Sequence, residues 1–109
     1  MVYTGKGRYE KVLIRNILYC EAQGNYTCLH INADKIILIS KLLKEAEEEL
    51  PGHLFYRVNR CFLVNLTHLR GYKSNRDLFV YMKDDKEIRV SRQKKKEFLD
   101  ILKRKHPHL

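Results

Sequence analysis

FYRVNRCFLVNLTHL, residues 55–69, sets a pair of arginines directly against an unbroken apolar run. Arg57 and Arg60 stand three apart, the spacing of one face of a helical turn. Phe62, Leu63 and Val64 follow at once, short and β-rich enough to be a buried strand that Asn65 closes. The pattern predicts a tight basic corner pressed against a hydrophobic strand, with its guanidinium groups held in place. A held, forked cation suits phosphate oxygens or a guanine edge. The competing reading is that Arg57 or Arg60 pairs with a carboxylate, or lays its stem over the core.

Upstream of that corner the chain reads as short strands divided by turns. Residues 1–7 (MVYTGKG) are small and turn-prone and are expected to fray. Residues 9–14 (YEKVLI) read as a first strand with Val12 and Ile14 on one face, and 17–21 (ILYCE) as a second. Gln23, Gly24 and Asn25 carry turn chemistry, after which 26–31 (YTCLHI) return as a third strand. Another turn at 32–34 leads to a fourth, 35–39 (KIILI). Ser40 is then expected to cap a helix whose Leu42, Leu43, Ala46 and Leu50 share one stripe, until Pro51 and Gly52 stop it. Its other face holds more acid than base, with Lys41 four from Glu45 and Lys44 four from Glu48. DNA would repel that face, so this helix should cover the back of the domain.

Downstream, 69–73 and 78–82 (LFVYM) read as strands around a turn at 74–77, and 84–86 as a further turn. Residues 87–90 alternate, with Ile88 and Val90 in and Glu87 and Arg89 out. Hairpin-length connections throughout predict a mainly antiparallel β domain with helices only as attachments. Ser91 should cap the last helix, from Arg92 to about residue 104, with Phe98, Leu99, Ile101 and Leu102 buried. Its first turns carry Arg92, Lys94, Lys95 and Lys96, which oppose the helix dipole and one another. A phosphate bound there would relieve the repulsion and accept the orphan N–H groups.

A chain of 109 residues makes one domain with a modest core, ordered over roughly residues 9–105. Lys and Arg number 22 against 13 acids, a formal +9, which calls for a polyanion partner. Residues 89–109 hold eight Lys/Arg and two acids, so +6 of that charge lies in the last fifth of the chain. No apolar run is long enough to span a membrane and no signal-peptide core stands at the N-terminus, so a cytoplasmic protein without membrane contact is expected. Three cysteines without a CxxC suit a reducing compartment, and Cys28 and His30 find no second ligand pair at metal spacing. No metal, no cofactor and no enzymatic activity are expected, since no catalytic order of Ser, His and Asp, phosphate-cradling loop or paired carboxylates stands out. The rival to duplex binding is a single-stranded nucleic-acid or RNA module, stacking bases on Tyr26, Phe55, Tyr56 and Tyr72.

Four blocks in order resemble the LytTR-type DNA-binding domain, the output module found mostly at the C-terminus of bacterial two-component response regulators. They are ILYCEAQGNYTCLHI (17–31), the helix ending in Leu50 and Pro51, FYRVNRCFLVN (55–65) and VSRQKKKEFLDIL (90–102). The resemblance implies an elongated fold of about ten short strands in three small antiparallel sheets, with short flanking helices. It further implies loops that enter the major groove of promoter DNA in place of a recognition helix. The contacts it carries over are Asn25 and Tyr26 from the loop after the second strand, Arg60 with Asn59 beside it, and Arg92, with Lys94 and Lys95 on phosphates. Arg57, from the basic corner, completes the candidate set. The chain departs from the family pattern at Asn59, usually His, and Cys61, usually Ser. A receiver domain in the full-length protein and a homodimer on paired sites are the further partners expected.

Overall fold

A computed structural model of the chain describes residues 2–5 and 7–105. Among these, ten strands fall into three antiparallel sheets. Strands β1 (Val2–Gly5) and β2 (Arg8–Glu10) form a hairpin. The central sheet is ordered β5-β4-β3-β7-β6, from β3 (Tyr19–Gln23), β4 (Tyr26–Asn32), β5 (Lys35–Ile39), β6 (Phe55–Arg57) and β7 (Phe62–Asn65). The third sheet is ordered β10-β9-β8, from β8 (Leu69–Ser74), β9 (Leu78–Met82) and β10 (Glu87–Val90). Helix α1 (Leu43–Glu49) follows β5 and helix α2 (Arg92–Lys105) follows β10. The extents, 45 × 23 × 23 Å, make the elongated shape that the family resemblance implies.

The run after the basic corner is apolar without alternation because the middle of the central sheet is buried on both faces. Successive side chains of β3 and β7 point oppositely. Tyr19 and Val64 pair across the sheet and join Leu78, Val80, Met82, Ile88, Val90, Phe98 and Leu102, the core shared with the third sheet and α2. Cys20 and Leu63 pair on the opposite face and join Leu29, Ile37, Ile39, Phe55 and the α1 residue Leu43. Asn65 ends the run, fully buried but satisfied. Its Nδ2 donates to the Ile17 carbonyl at 2.9 Å, and its Oδ1 accepts from Thr67 N and Oγ1 at 3.0 and 2.7 Å.

Three local expectations need correcting. The strand expected over 9–14 stops at Glu10, whose partner Val2 is the last residue β1 supplies. The chain then turns through 3₁₀ bonds, Asn16 N to Leu13 O and Ile17 N to Ile14 O, and Ile14 is left 40% exposed. Ahead of it, Val2–Gly5 pairs with β2, helped by Gly7 at φ +71 in the connection; Met1 and Lys6 lie outside the described residues. Helix α1 starts after Leu42, not Ser40, because the buried Thr27 hydroxyl donates to the Lys41 carbonyl and keeps that residue out of the helix. Leu42 is consequently 47% exposed, while its N–H is capped by the Glu45 carboxylate at 2.9 Å. Lys41 pairs with Glu49, not with Glu45.

The cysteines separate by environment. Burial pushes the Cys20 thiol up to about 12. Burial, with the Glu21 charge adding to it, also raises Cys28, which donates to Gln23 Oε1 at 2.8 Å. Cys61 is exposed. Titration with a thiol reagent should find one fast group in the native protein, Cys61, and three after denaturation, because reaction needs an accessible thiolate. Two fast groups in the native protein would show that the β4 environment opens readily.

Candidate nucleic-acid interface

Strand register decides which loops meet. Glu21 pairs with Phe62, so the β3–β4 turn and the β6–β7 loop leave the central sheet at the same edge. The Ala22 N–H extends that contact to the Cys61 carbonyl at 2.8 Å. In the third sheet Val90 pairs with Leu78 and Leu78 with Ser74, which brings the β8–β9 loop beside the start of α2. The two sheets are joined at this edge by Ser91 N to Val58 O at 2.8 Å and Asn59 Nδ2 to Arg89 O at 2.6 Å. Four loops therefore share one end of the molecule.

The β6–β7 loop is held from inside. Asn59 Oδ1 accepts from Cys61 N at 2.7 Å and Phe62 N at 2.9 Å, an Asx-type turn that closes the corner. Arg57 is not on a helical face with Arg60. It ends β6, and its guanidinium donates to the Asn59 and Arg60 carbonyls at 3.3 and 2.7 Å while lying 3.5 Å from Glu47. The carboxylate-pairing alternative thus describes Arg57, whereas Arg60 is exposed at the loop tip. Asn59, Arg60, Cys61, Phe62, Arg89 and Ser91 line an open cleft of about 390 Å³.

At the start of α2, Arg92 is 73% exposed, with Nε 3.5 Å from Asp77 Oδ1; Arg89 Nη2 donates to the same oxygen at 3.2 Å. The Arg89 hydrogen bond, with both guanidinium charges adding to it, holds the Asp77 carboxyl below its ordinary range. Lys94 Nζ lies 5.5 Å over the Tyr56 ring, which stacks on Phe98 at 4.8 Å. Burial and a hydrogen bond to Glu97 push the Tyr56 hydroxyl well above the usual phenol range. Lys95 Nζ donates to the Asn75 and Arg76 carbonyls at 3.2 and 3.1 Å, stitching α2 to the β8–β9 loop. The two-residue β3–β4 turn has Gly24 at φ +59, the sign a hairpin turn needs at that position, and it leaves Asn25 and Tyr26 exposed.

Asn59, Arg60, Arg92, Lys94 and Lys95 are thus gathered around one junction, with Asn25 and Tyr26 on the adjoining turn. Sequence reasoning missed Arg76, Asp77 and Arg89, which it read as turn and outward strand residues. Only the hairpin register relates Asp77 to Arg89 and Arg92; the alternation at 87–90, with Arg89 outward and three before Arg92, was the available hint. The aromatics that the single-strand reading relies on are largely spent. Phe55 is buried, Tyr56 is stacked on Phe98, Tyr72 packs on the first core, and Tyr26 is 47% exposed. Among the described residues no three His, Cys, Asp or Glu side chains gather as a metal site, and no helix is long and apolar enough to cross a membrane.

The family model for the LytTr DNA-binding domain matches residues 7–103. Transcriptional regulatory protein YpdB of Escherichia coli K12 is 30% identical over 92 residues, covering 82% of this chain and 37% of that protein; the Shigella flexneri protein matches equally. The chain therefore spans little more than a third of these relatives. Among solved structures, the LytTr DNA-binding domain of a Bacillus cereus protein described as a response regulator superposes with a TM-score of 0.76 at 22% identity. That match covers 90% of this chain and 91% of the other.

Proposed function

The chain belongs to the LytTr DNA-binding domain family, and from that premise we propose that it reads duplex promoter DNA for a bacterial transcriptional regulator, inserting loops into the major groove. The observation that carries this reading is the shared edge. Arg60 and Arg92 are exposed there on backbone that hydrogen bonds from Asn59 and Ser91 tie together across two sheets.

The roles divide by chemistry. Arg60 and Arg92 offer planar forks suited to a guanine edge. Asn25 and Tyr26 add contacts from the neighbouring turn. Asn59 and Arg57 act chiefly by shaping the loop that presents Arg60, since their polar atoms already serve its backbone. Lys94 and Lys95 are point charges for phosphate, with Lys95 also bracing the β8–β9 loop. The same reading places the protein in the cytoplasm, with a receiver domain supplying the signal and two copies occupying paired sites.

Paired titrations on a selected cognate duplex and its scrambled counterpart test the division. Arg60→Ala or Arg92→Ala should cost about 1–3 kcal/mol on the cognate duplex and much less on the scrambled one. Lys95→Ala should weaken both alike and flatten the log–log salt slope by about one unit. Equal losses on both duplexes for the arginine variants would make them phosphate clamps and move base reading to Asn25, Tyr26 or DNA shape. Preference for single-stranded DNA or RNA over duplex would overturn the reading.

A further inference from the structure

Asp77 stands inside this basic edge, and its placement is specific. Asp77 Oδ1 is shared by Arg89 Nη2 at 3.2 Å and Arg92 Nε at 3.5 Å. The backbone that carries the carboxylate is itself held. Asn75 N donates to the Asp77 carbonyl at 3.1 Å, Lys95 grips the two preceding carbonyls, and the next residue, Leu78, is fully buried. A carboxylate here repels phosphate and weakens binding to every duplex by simple charge. What it supplies in return is geometry. The contact with Arg92 is made at Nε, on the stem side of the guanidinium, the end away from the fork. Bidentate reading of a guanine uses a fork of that kind, and a pre-oriented fork loses less freedom on binding.

We propose that Asp77 is a specificity-determining positioning residue, a buttress that fixes the Arg92 fork for base reading while discouraging binding to phosphate alone. It rests on the duplex-reading function proposed above. Arg89 shares the oxygen and ties the buttress to β10, so the carboxylate keeps its place while Arg92 engages a base.

The signature is a gain on one duplex with no gain, or a loss, on the other, which a merely structural residue cannot produce. Asp77→Asn should bind scrambled duplex about three- to tenfold tighter, with a salt slope steeper by about one unit, because one repulsive charge is gone. The same variant should bind the cognate duplex no tighter, and up to about tenfold weaker, because the fork has lost its support. In an Arg92→Ala background, Asp77→Asn should leave the cognate-to-scrambled ratio unchanged, since the residue it positions is absent. Tightening of both duplexes by one factor would reduce Asp77 to a bulk charge and overturn the proposal, as would an undiminished effect on the ratio without Arg92. Absence of duplex binding by the wild-type protein would instead sink the function itself. Wild-type discrimination with an unaltered ratio in Asp77→Asn sinks only the buttress.

Discussion

Duplex affinity should fall by roughly two to four orders of magnitude as monovalent salt rises from about 50 to about 200 mM. The expectation comes from where the charge stands. Of the formal +9, +6 lies in residues 89–109, and at the start of α2 Arg92 and Lys94 stand with Lys95, which holds the Arg76 carbonyl at the loop edge. The acids of α1 lie over the opposite face of the central sheet, where Glu47 and Glu49 are already paired with Arg57 and Lys41. About five to eight phosphates neutralised at that edge would release a matching number of condensed counterions, giving a log–log slope near −4 to −7. Arg89 is held by Asp77 and Arg57 by loop carbonyls, so neither adds a full phosphate to that count. Anisotropy titrations at four or more salt concentrations measure the slope. A value near zero would leave the clustered charge without a nucleic-acid role.

Phe98→Ala should cost about 3–5 kcal/mol of stability, the usual toll for deleting a fully buried aromatic ring. Phe98 has no exposed surface, stacks on Tyr56 at 4.8 Å and sits in one cluster with Val58, Leu78, Val80, Val90 and Leu102. That cluster fastens α2 to both sheets, so the cavity would open under the junction that presents Arg92 and Asn59. Against a typical total of about 5–15 kcal/mol, the loss leaves a marginal domain. Urea unfolding should show the midpoint dropping with little change in m, while Lys96→Ala, on the exposed face of the same helix, stays within about 0.5 kcal/mol of wild type. A cost below about 1 kcal/mol for Phe98→Ala would mean that α2 is not packed as the core requires.

What was legible without tertiary structure is what local chemistry dictates. Residues 35–39, 78–82 and 87–90 are strands with the expected bounds, because β-branched and aromatic residues fit a pleated, half-buried surface wherever it forms. The Gly24 turn, the apolar stripe of α2 and the crowding of positive charge at the end of the chain are local in the same sense. The ends of elements were decided elsewhere. Strand β2 pairs as far as Glu10, opposite Val2, and α1 begins late because Thr27, 14 residues away from Lys41, holds the backbone there. The candidate site divides along the same line. Sequence alone marks which arginines and lysines exist, but a cation becomes a brace or a reader according to the acceptors that surround it. Arg57 meets two carbonyls of its own loop and Glu47, so it is consumed. Arg92 meets a carboxylate, 15 positions earlier, at its Nε, and stays largely exposed. The Arg57 carbonyls are local, but strand pairing within the third sheet is what brings Asp77 to Arg92, and no local spacing encodes that distance.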